Sequence, residues 1–172
     1  MGYTGLMTTW LTEDEQRSWR AWLATSLLLN DRLNRELQEQ HGLALADYEI
    51  LVRLSELPER RMRMSDLADA TLSSRSRLSH QIDRMERAGL VARETCADDR
   101  RGSFATLTQL GWTTLVAAAP DHVASVRAHL VDQISPEEFA ALGSACQQVV
   151  EHLQTLGYSC PGVAEAWQPI SV

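Results

Sequence analysis

Ser73-Ser74-Arg75-Ser76-Arg77, continued by His80, Gln81 and Arg84, is the stretch whose side chains point most directly to a chemistry. Short hydroxyls and forked guanidiniums in one run suit hydrogen bonds to base edges and phosphates. Leu78, Ile82 and Met85 interleave at 3–4 spacing, so a helix there turns its apolar side inward and the polar set outward. A second basic group, Arg100 and Arg101, sits in the polar, glycine-ended run 97–102, where Asp99 can hold Arg101 through a local ion pair.

Other chemistries find little support. Cys96, Cys146 and Cys160 are odd in number and too widely spaced for a disulfide framework or a zinc ribbon. His122 and His129, with Asp132 near, have a spacing compatible with metal ligands, but surface histidines account for them more simply. There is no His-Glu-x-x-His, Gly-x-Ser-x-Gly or phosphate-cradling glycine loop, and Gly143-Ser144-Ala145-Cys146 lies inside a helical period. No catalytic residue, metal or cofactor is expected, and the chain is not expected to be an enzyme.

The elements that must position the basic run are legible from caps and periodicity. Thr12 and Glu15 form a capping box that opens a helix reaching Gln40, about 40 Å long, with Gly42 after it. A second helix fits Asp47 to Leu57, stopped by Pro58. A third starts near Met64 with Ser65 as its capping serine, and Ser73 offers the next cap, ahead of a helix from about Ser74 to Ala88 closed by Gly89. Two extended segments, Leu90–Cys96 and Ser103–Leu107, frame the basic run as a hairpin. From Thr108 a helix runs to about Val131 with a kink at Pro120. Ser135-Pro136-Glu137-Glu138 opens the last one. Val116, Ala119, Val123, Val126 and Leu130, then Phe139, Leu142, Cys146, Val149, Leu153 and Leu156, make two narrow seams of the kind that packs helix on helix. The fold class is mainly α with a small two-stranded β wing: a winged helix-turn-helix lobe plus a helical dimerisation region.

Charge is divided unevenly. The 172 residues carry a formal −7, with 44% apolar and 23% charged residues, a composition that excludes disordered and fibrous classes. All 16 basic residues are Arg, and 11 of them fall in residues 53–101 beside 9 acids, so this third is positive while the remainder is strongly negative. No apolar stretch approaches the roughly 20 residues that span a bilayer. Without a leader-like N-terminus, the expectation is a cytoplasmic protein with no membrane partner.

Asp99-Arg100-Arg101-Gly102-Ser103-Phe104-Ala105-Thr106-Leu107-Thr108-Gln109-Leu110-Gly111 resembles the wing signature of the multiple-antibiotic-resistance regulator (MarR) family, an Asp-x-Arg followed by Leu-Thr-x-x-Gly. Met64–Ala68, Leu78–Leu90 and the stretch from Gly42 to Leu51 are similar to that family as well, although Ala44 stands where a Ser or Thr cap is common. The resemblance covers about residues 12–156. It implies a homodimeric transcriptional regulator, commonly a repressor, that reads a pseudo-palindromic operator in double-stranded DNA through Ser73, Ser74, Arg75, Ser76, Arg77, His80, Gln81 and Arg84, with Asp99, Arg100 and Arg101 at the wing. It further implies a small aromatic or anionic ligand that lowers DNA affinity, with Trp22, Ser26, His41 and Tyr48 at its pocket by family position. The corresponding organisation is a flexible segment 1–11, a regulator domain 12–156 with a DNA-binding lobe 47–107 and dimerisation helices 12–40 and 108–156, and an irregular tail 157–172. Two other readings stand beside it: a winged-helix module that binds protein instead of DNA, and a redox sensor acting through Cys96.

Overall fold

The computed structural model describes residues 9–95 and 103–157. The order is α1 (Glu13–His41), α2 (Leu45–Ser55), β1 (Arg61–Arg63), α3 (Met64–Ala70), α4 (Arg75–Arg87), β2 (Val91–Thr95), β3 (Ser103–Leu107), α5 (Gln109–His129), a 3-10 turn at Val131–Gln133 and α6 (Pro136–Thr155). Both capping boxes form as expected, Thr12 with Glu15 and Ser135 with Glu138, each hydroxyl accepting the third amide of its helix while the glutamate reaches back.

Several local expectations need correction. The sheet has three antiparallel strands in the order β1-β3-β2, with Met62 opposite Ala105 and Arg93 opposite Ala105 on its other side. β1 is the missed strand: three residues reading Arg-Met-Arg give no alternation to detect, and they pair only because β3 offers an edge. Since β1 runs straight into α3, Arg63 takes the N-cap position, and Ser65 donates its hydroxyl to Asp66 instead of capping. Ser74, not Ser73, caps α4 by accepting the Arg77 amide. α2 begins two residues before Asp47, because Asn34 of α1 accepts the Leu45 amide at 3.0 Å and replaces the cap that Ala44 cannot supply. α5 continues through Pro120 and ends at His129.

One core joins these elements. Leu33 and Leu37 of α1, Ile50, Leu51 and Leu54 of α2, Leu67 of α3, Leu78, Ile82 and Met85 of α4, Val91 and Ala105 of the sheet, and Leu115 and Ala118 of α5 are buried in it. The Leu-Thr-x-x-Gly signature has a packing reason at its centre. Thr108 caps α5 by accepting the Gly111 amide at 2.9 Å, and its hydroxyl hydrogen is shared between the carbonyls of Gly89 (2.6 Å) and Leu90 (3.0 Å). Gly111 therefore lies on the root of β2, where a Cβ would meet the Leu90 carbonyl at 2.1 Å. Gly89, at φ +73°, makes the left-handed turn that brings Leu90 there.

The two ends of the helical scaffold are uncovered within the chain. α1 buries only Leu33 and Leu37, leaving Trp19 at 52% and Trp22 at 47% exposure, and α6 buries nothing, with Val149 at 58% and Leu153 at 41%. Among the described residues no helix is long and apolar enough to cross a membrane.

Candidate nucleic-acid interface

α4 presents its polar side to solvent while Leu78, Ile82 and Met85 are fully buried. Ser74, Arg75, Ser76, Arg77 and His80 are exposed, Ser73 is half-buried, and the helix N-terminus opens outward with one amide held by Ser74. Acids are missing from the first turn, so nothing there opposes an approaching anion.

The far end of this polar face behaves differently from its beginning. Asp47, buried at 7% exposure on α2, accepts from Gln81 Nε2 at 2.9 Å and from Arg84 Nη2 at 2.7 Å. Gln81 and Arg84 are thus engaged inside the protein, although the Arg84 side chain keeps more than half its surface exposed. On the opposite flank Arg93 of β2 grips α4: its Nη1 lies 2.6 Å from Asp83, its Nη2 donates to the Ser79 carbonyl at 2.9 Å, and its amide donates to Glu86 at 3.0 Å. α4 is clamped from α2 on one side and from the sheet on the other, which fixes the direction in which Arg75 and Arg77 point. Sequence reasoning missed Asp47 and Arg93. An acid two residues into an apolar helical run was the only available signal for Asp47, and Arg93 gave none. Asp99, Arg100, Arg101 and Cys96 lie outside the described residues.

A groove of about 910 Å³ opens between α1, α2 and α5, with Phe139 of α6 at its edge. Tyr48 and His122 meet on its wall, ring centroids 4.5 Å apart. Burial pushes the Tyr48 hydroxyl up and the His122 imidazole down from their ordinary pKa values, so both favour their neutral forms. The His122 Nδ1 is buried without a hydrogen-bond partner among the described residues. Glu49, Arg53 and Arg127 rim the same groove, and burial raises the Glu49 pKa against the opposing pull of Arg53. Of the four expected pocket residues only Tyr48 lines it. Trp22 and Ser26 lie further back on α1, Ser26 donating to the Trp22 carbonyl, and His41 is engaged with Asp121 of α5 at 2.9 Å.

The histidines of α5 are not brought together. His122 faces Tyr48, whereas His129 contacts Glu36 of α1 at 2.9 Å and Asp132 pairs with Arg127. No group of three metal-ligating side chains occurs among the described residues. Glu36 also accepts from Ser125, and these two contacts, with help from the Arg32 charge, lower its pKa to about 2. Together with the His41 contact they tie α1 to α5 at two points.

Comparison with known proteins extends this geometry. The family described as the MarR family matches residues 41–102. The HTH-type transcriptional regulator MhqR of Bacillus subtilis (strain 168) is 26% identical over 110 residues, covering 64% of this chain and 73% of its own. AbsC, a MarR family transcriptional regulator from Streptomyces coelicolor, is 53% identical with a TM-score of 0.80, over 86% of this chain and 99% of AbsC. Sco3205 from the same organism, solved in complex with DNA, is 43% identical with a TM-score of 0.82, over 87% and 94% of the two chains.

Proposed function

Because this chain belongs to the MarR family of transcriptional regulators, we propose that it works as a homodimer whose two α4 helices enter successive major grooves of a pseudo-palindromic operator. The observation that carries the reading is the clamped α4, with Arg75, Ser76, Arg77 and His80 turned outward from an acid-free first turn. In this arrangement Arg77 reads a base edge, and the wing arginines Arg100 and Arg101 hold backbone phosphate. Gln81 and Arg84 act chiefly through Asp47, setting the pose of the helix.

The second copy accounts for surfaces a monomer leaves wet. Trp19, Trp22 and Leu23 on α1, Val149 and Leu153 on α6 and Leu156 at its C-cap are exposed large apolar groups of the outermost helices, and a two-fold partner would cover both ends at once. Residues 12–40 and 108–156 then serve dimerisation and 47–107 the DNA-binding lobe. The protein-only scheme has no comparable geometric support among the described residues, Cys96 lies outside them, and relatives of the chain are regulators rather than enzymes.

The groove beside Tyr48 and His122 is the seat for a small aromatic or anionic effector. It combines aromatic walls with the Arg53 and Arg127 charges, and its floor, α2, holds α4 through Asp47. A ligand that prefers one setting of α2 against α5 would change the spacing of the two α4 helices and release the operator, the mode of a repressor.

Footprinting on the DNA flanking its own gene tests the proposal. A protected pair of half-sites about one helical turn apart is expected, and Arg77→Ala should weaken binding by roughly tenfold or more and relax preference at one base pair. No protected stretch at low salt would refute a DNA-binding role.

A further inference from the structure

Leu72 follows the C-cap of α3 and stands two positions ahead of Ser74, which caps α4. Its backbone is left-handed, with φ +49°. Two hydrogen bonds hold it there: the Leu72 amide donates to the Asp69 carbonyl at 3.1 Å, and the Ser73 amide to the Ala68 carbonyl at 2.9 Å. This pair is the Schellman arrangement, whose left-handed position is ordinarily filled by glycine because a Cβ there crowds the following carbonyl. A bulky side chain at such a φ is an outlier, and outliers of this kind collect at functional positions.

Among the described residues the side chain supports no packing: it is 68% exposed and outside the buried core. Arg60, at φ +50°, is the other left-handed non-glycine among them, but its guanidinium stacks 4.1 Å above the Trp112 ring and is engaged within the fold. Within the described part of residues 45–107, Leu72 is the one large apolar side chain left exposed. Every other such group lies on α1, α5 or α6 or beside their ends. A second copy seated on α1 and α6 accounts for those groups but gives no reason for a leucine in the turn before α4.

The chain next to Leu72 is the acid-free start of α4, where Ser74, Arg75, Ser76 and Arg77 are exposed. These residues offer a base edge chiefly hydrogen-bonding groups. The major groove also displays an apolar mark, the C5 methyl of thymine, which is recognised by apolar contact. We propose that Leu72 is a specificity-determining residue whose isobutyl group packs on a thymine methyl in each half-site, beside the bases read by α4. The left-handed turn would be satisfied by glycine, which contacts nothing; leucine gives the same turn a base-reading group. The inference rests on the DNA-binding reading above.

The test replaces each thymine of the footprinted operator in turn, in both half-sites, by deoxyuridine, which lacks only that methyl. Affinities are measured for wild type, Leu72→Gly and Leu72→Ala. One methyl contact is worth about fourfold per half-site, hence about fifteenfold for the dimer. A single deoxyuridine position should weaken wild type by that factor and leave both variants unaffected, while both bind the thymine operator about fifteenfold or more below wild type. Leu72→Gly should melt between the wild-type temperature and about 4 °C above it at matched protein concentration, because the left-handed residue is relieved. A Leu72→Gly protein that melts below wild type would show the side chain serving the fold and would overturn the proposal. Leu72→Ala binding like wild type would assign the effect to turn flexibility, and overturn it too. A wild type indifferent to every deoxyuridine, or variants as sensitive as wild type to the same position, would remove the thymine contact and leave the regulator reading intact. Failure of wild type to bind any operator at low salt would overturn both.

Discussion

Gly111→Ala separates two physical arguments that disagree in sign. Gly111 sits in the first turn of α5, and helix propensity alone says that alanine there stabilises the protein by up to about 1 kcal/mol. The packing says otherwise. The new Cβ would lie 2.1 Å from the Leu90 carbonyl oxygen and 2.8 Å from Leu107 Cδ1, where ordinary contact begins at 3.4 Å. Leu107 can rotate, but Leu90 is backbone, bonded to the Thr108 amide at 3.2 Å and to its hydroxyl at 3.0 Å. Relief requires α5 to lift from the root of β2 by about 1.3 Å, enough to stretch the Thr108 contacts. Overpacking against a rigid neighbour costs about 1–3 kcal/mol and a weakened cap about 1 more. After the propensity gain, a net loss of about 1–3 kcal/mol remains. For a chain of this size that lowers Tm by about 2–12 °C, read by circular dichroism at matched protein concentration because dimer stability depends on it. Since α5 also lines the groove beside Tyr48 and His122, operator affinity should fall in parallel. A variant that melts at or above wild type would refute the close approach, and with it the explanation of the Leu-Thr-x-x-Gly signature.

Other perturbations follow from the same contacts. Asp47→Ala should cost about 1.5 kcal/mol and Arg84→Ala less than about 1, with a coupling near 1 kcal/mol in denaturant unfolding of the double variant; strict additivity would mean that the two do not act together. Leu153→Glu should convert the dimer to a single chain of 19.2 kDa in sedimentation and lower operator affinity roughly a hundredfold or more through lost avidity, whereas an unchanged mass would exclude α6 from the interface. His122 should make the fold sensitive to mild acid. Its folded pKa lies below the ordinary 6.5, so the unfolded chain takes up the proton first, and stability should fall as pH drops below about 6.5. His122→Phe should flatten that dependence, and an equal slope in the variant would count against burial as its cause.

Local signals and long-range contacts divide the molecule between them. Thr12 with Glu15, Ser135 with Glu138, and Gly42 and Gly89 mark their helix ends in a few neighbouring residues, because caps and left-handed turns are local hydrogen-bond and steric problems. The inward placement of Leu78, Ile82 and Met85, and the outward turn of Arg75 and Arg77, follow from a 3.6-residue period in the same way. The candidate pocket was much less legible: Tyr48 lines it, while Trp22, Ser26 and His41 lie elsewhere and His122, Arg53 and Arg127 stand in their place. A cavity wall assembled from α1, α2, α5 and α6 has no period in any one of them.

From the amino-acid order alone came the helices, their inward and outward faces, and the uneven distribution of arginine, since each depends on residues within a turn or two. Tertiary structure decided what those groups do. It added β1 as a third strand on an edge that only β3 provides, supplied the missing cap of α2 from Asn34, and turned Gln81 and Arg84 from solvent to a buried carboxylate 34 and 37 residues earlier. It also gathered Arg63, Arg75 and Arg93 around one pocket. Hydrogen bonds and charges act through space over a few ångströms, so which distant residues share them is settled only when the core has packed.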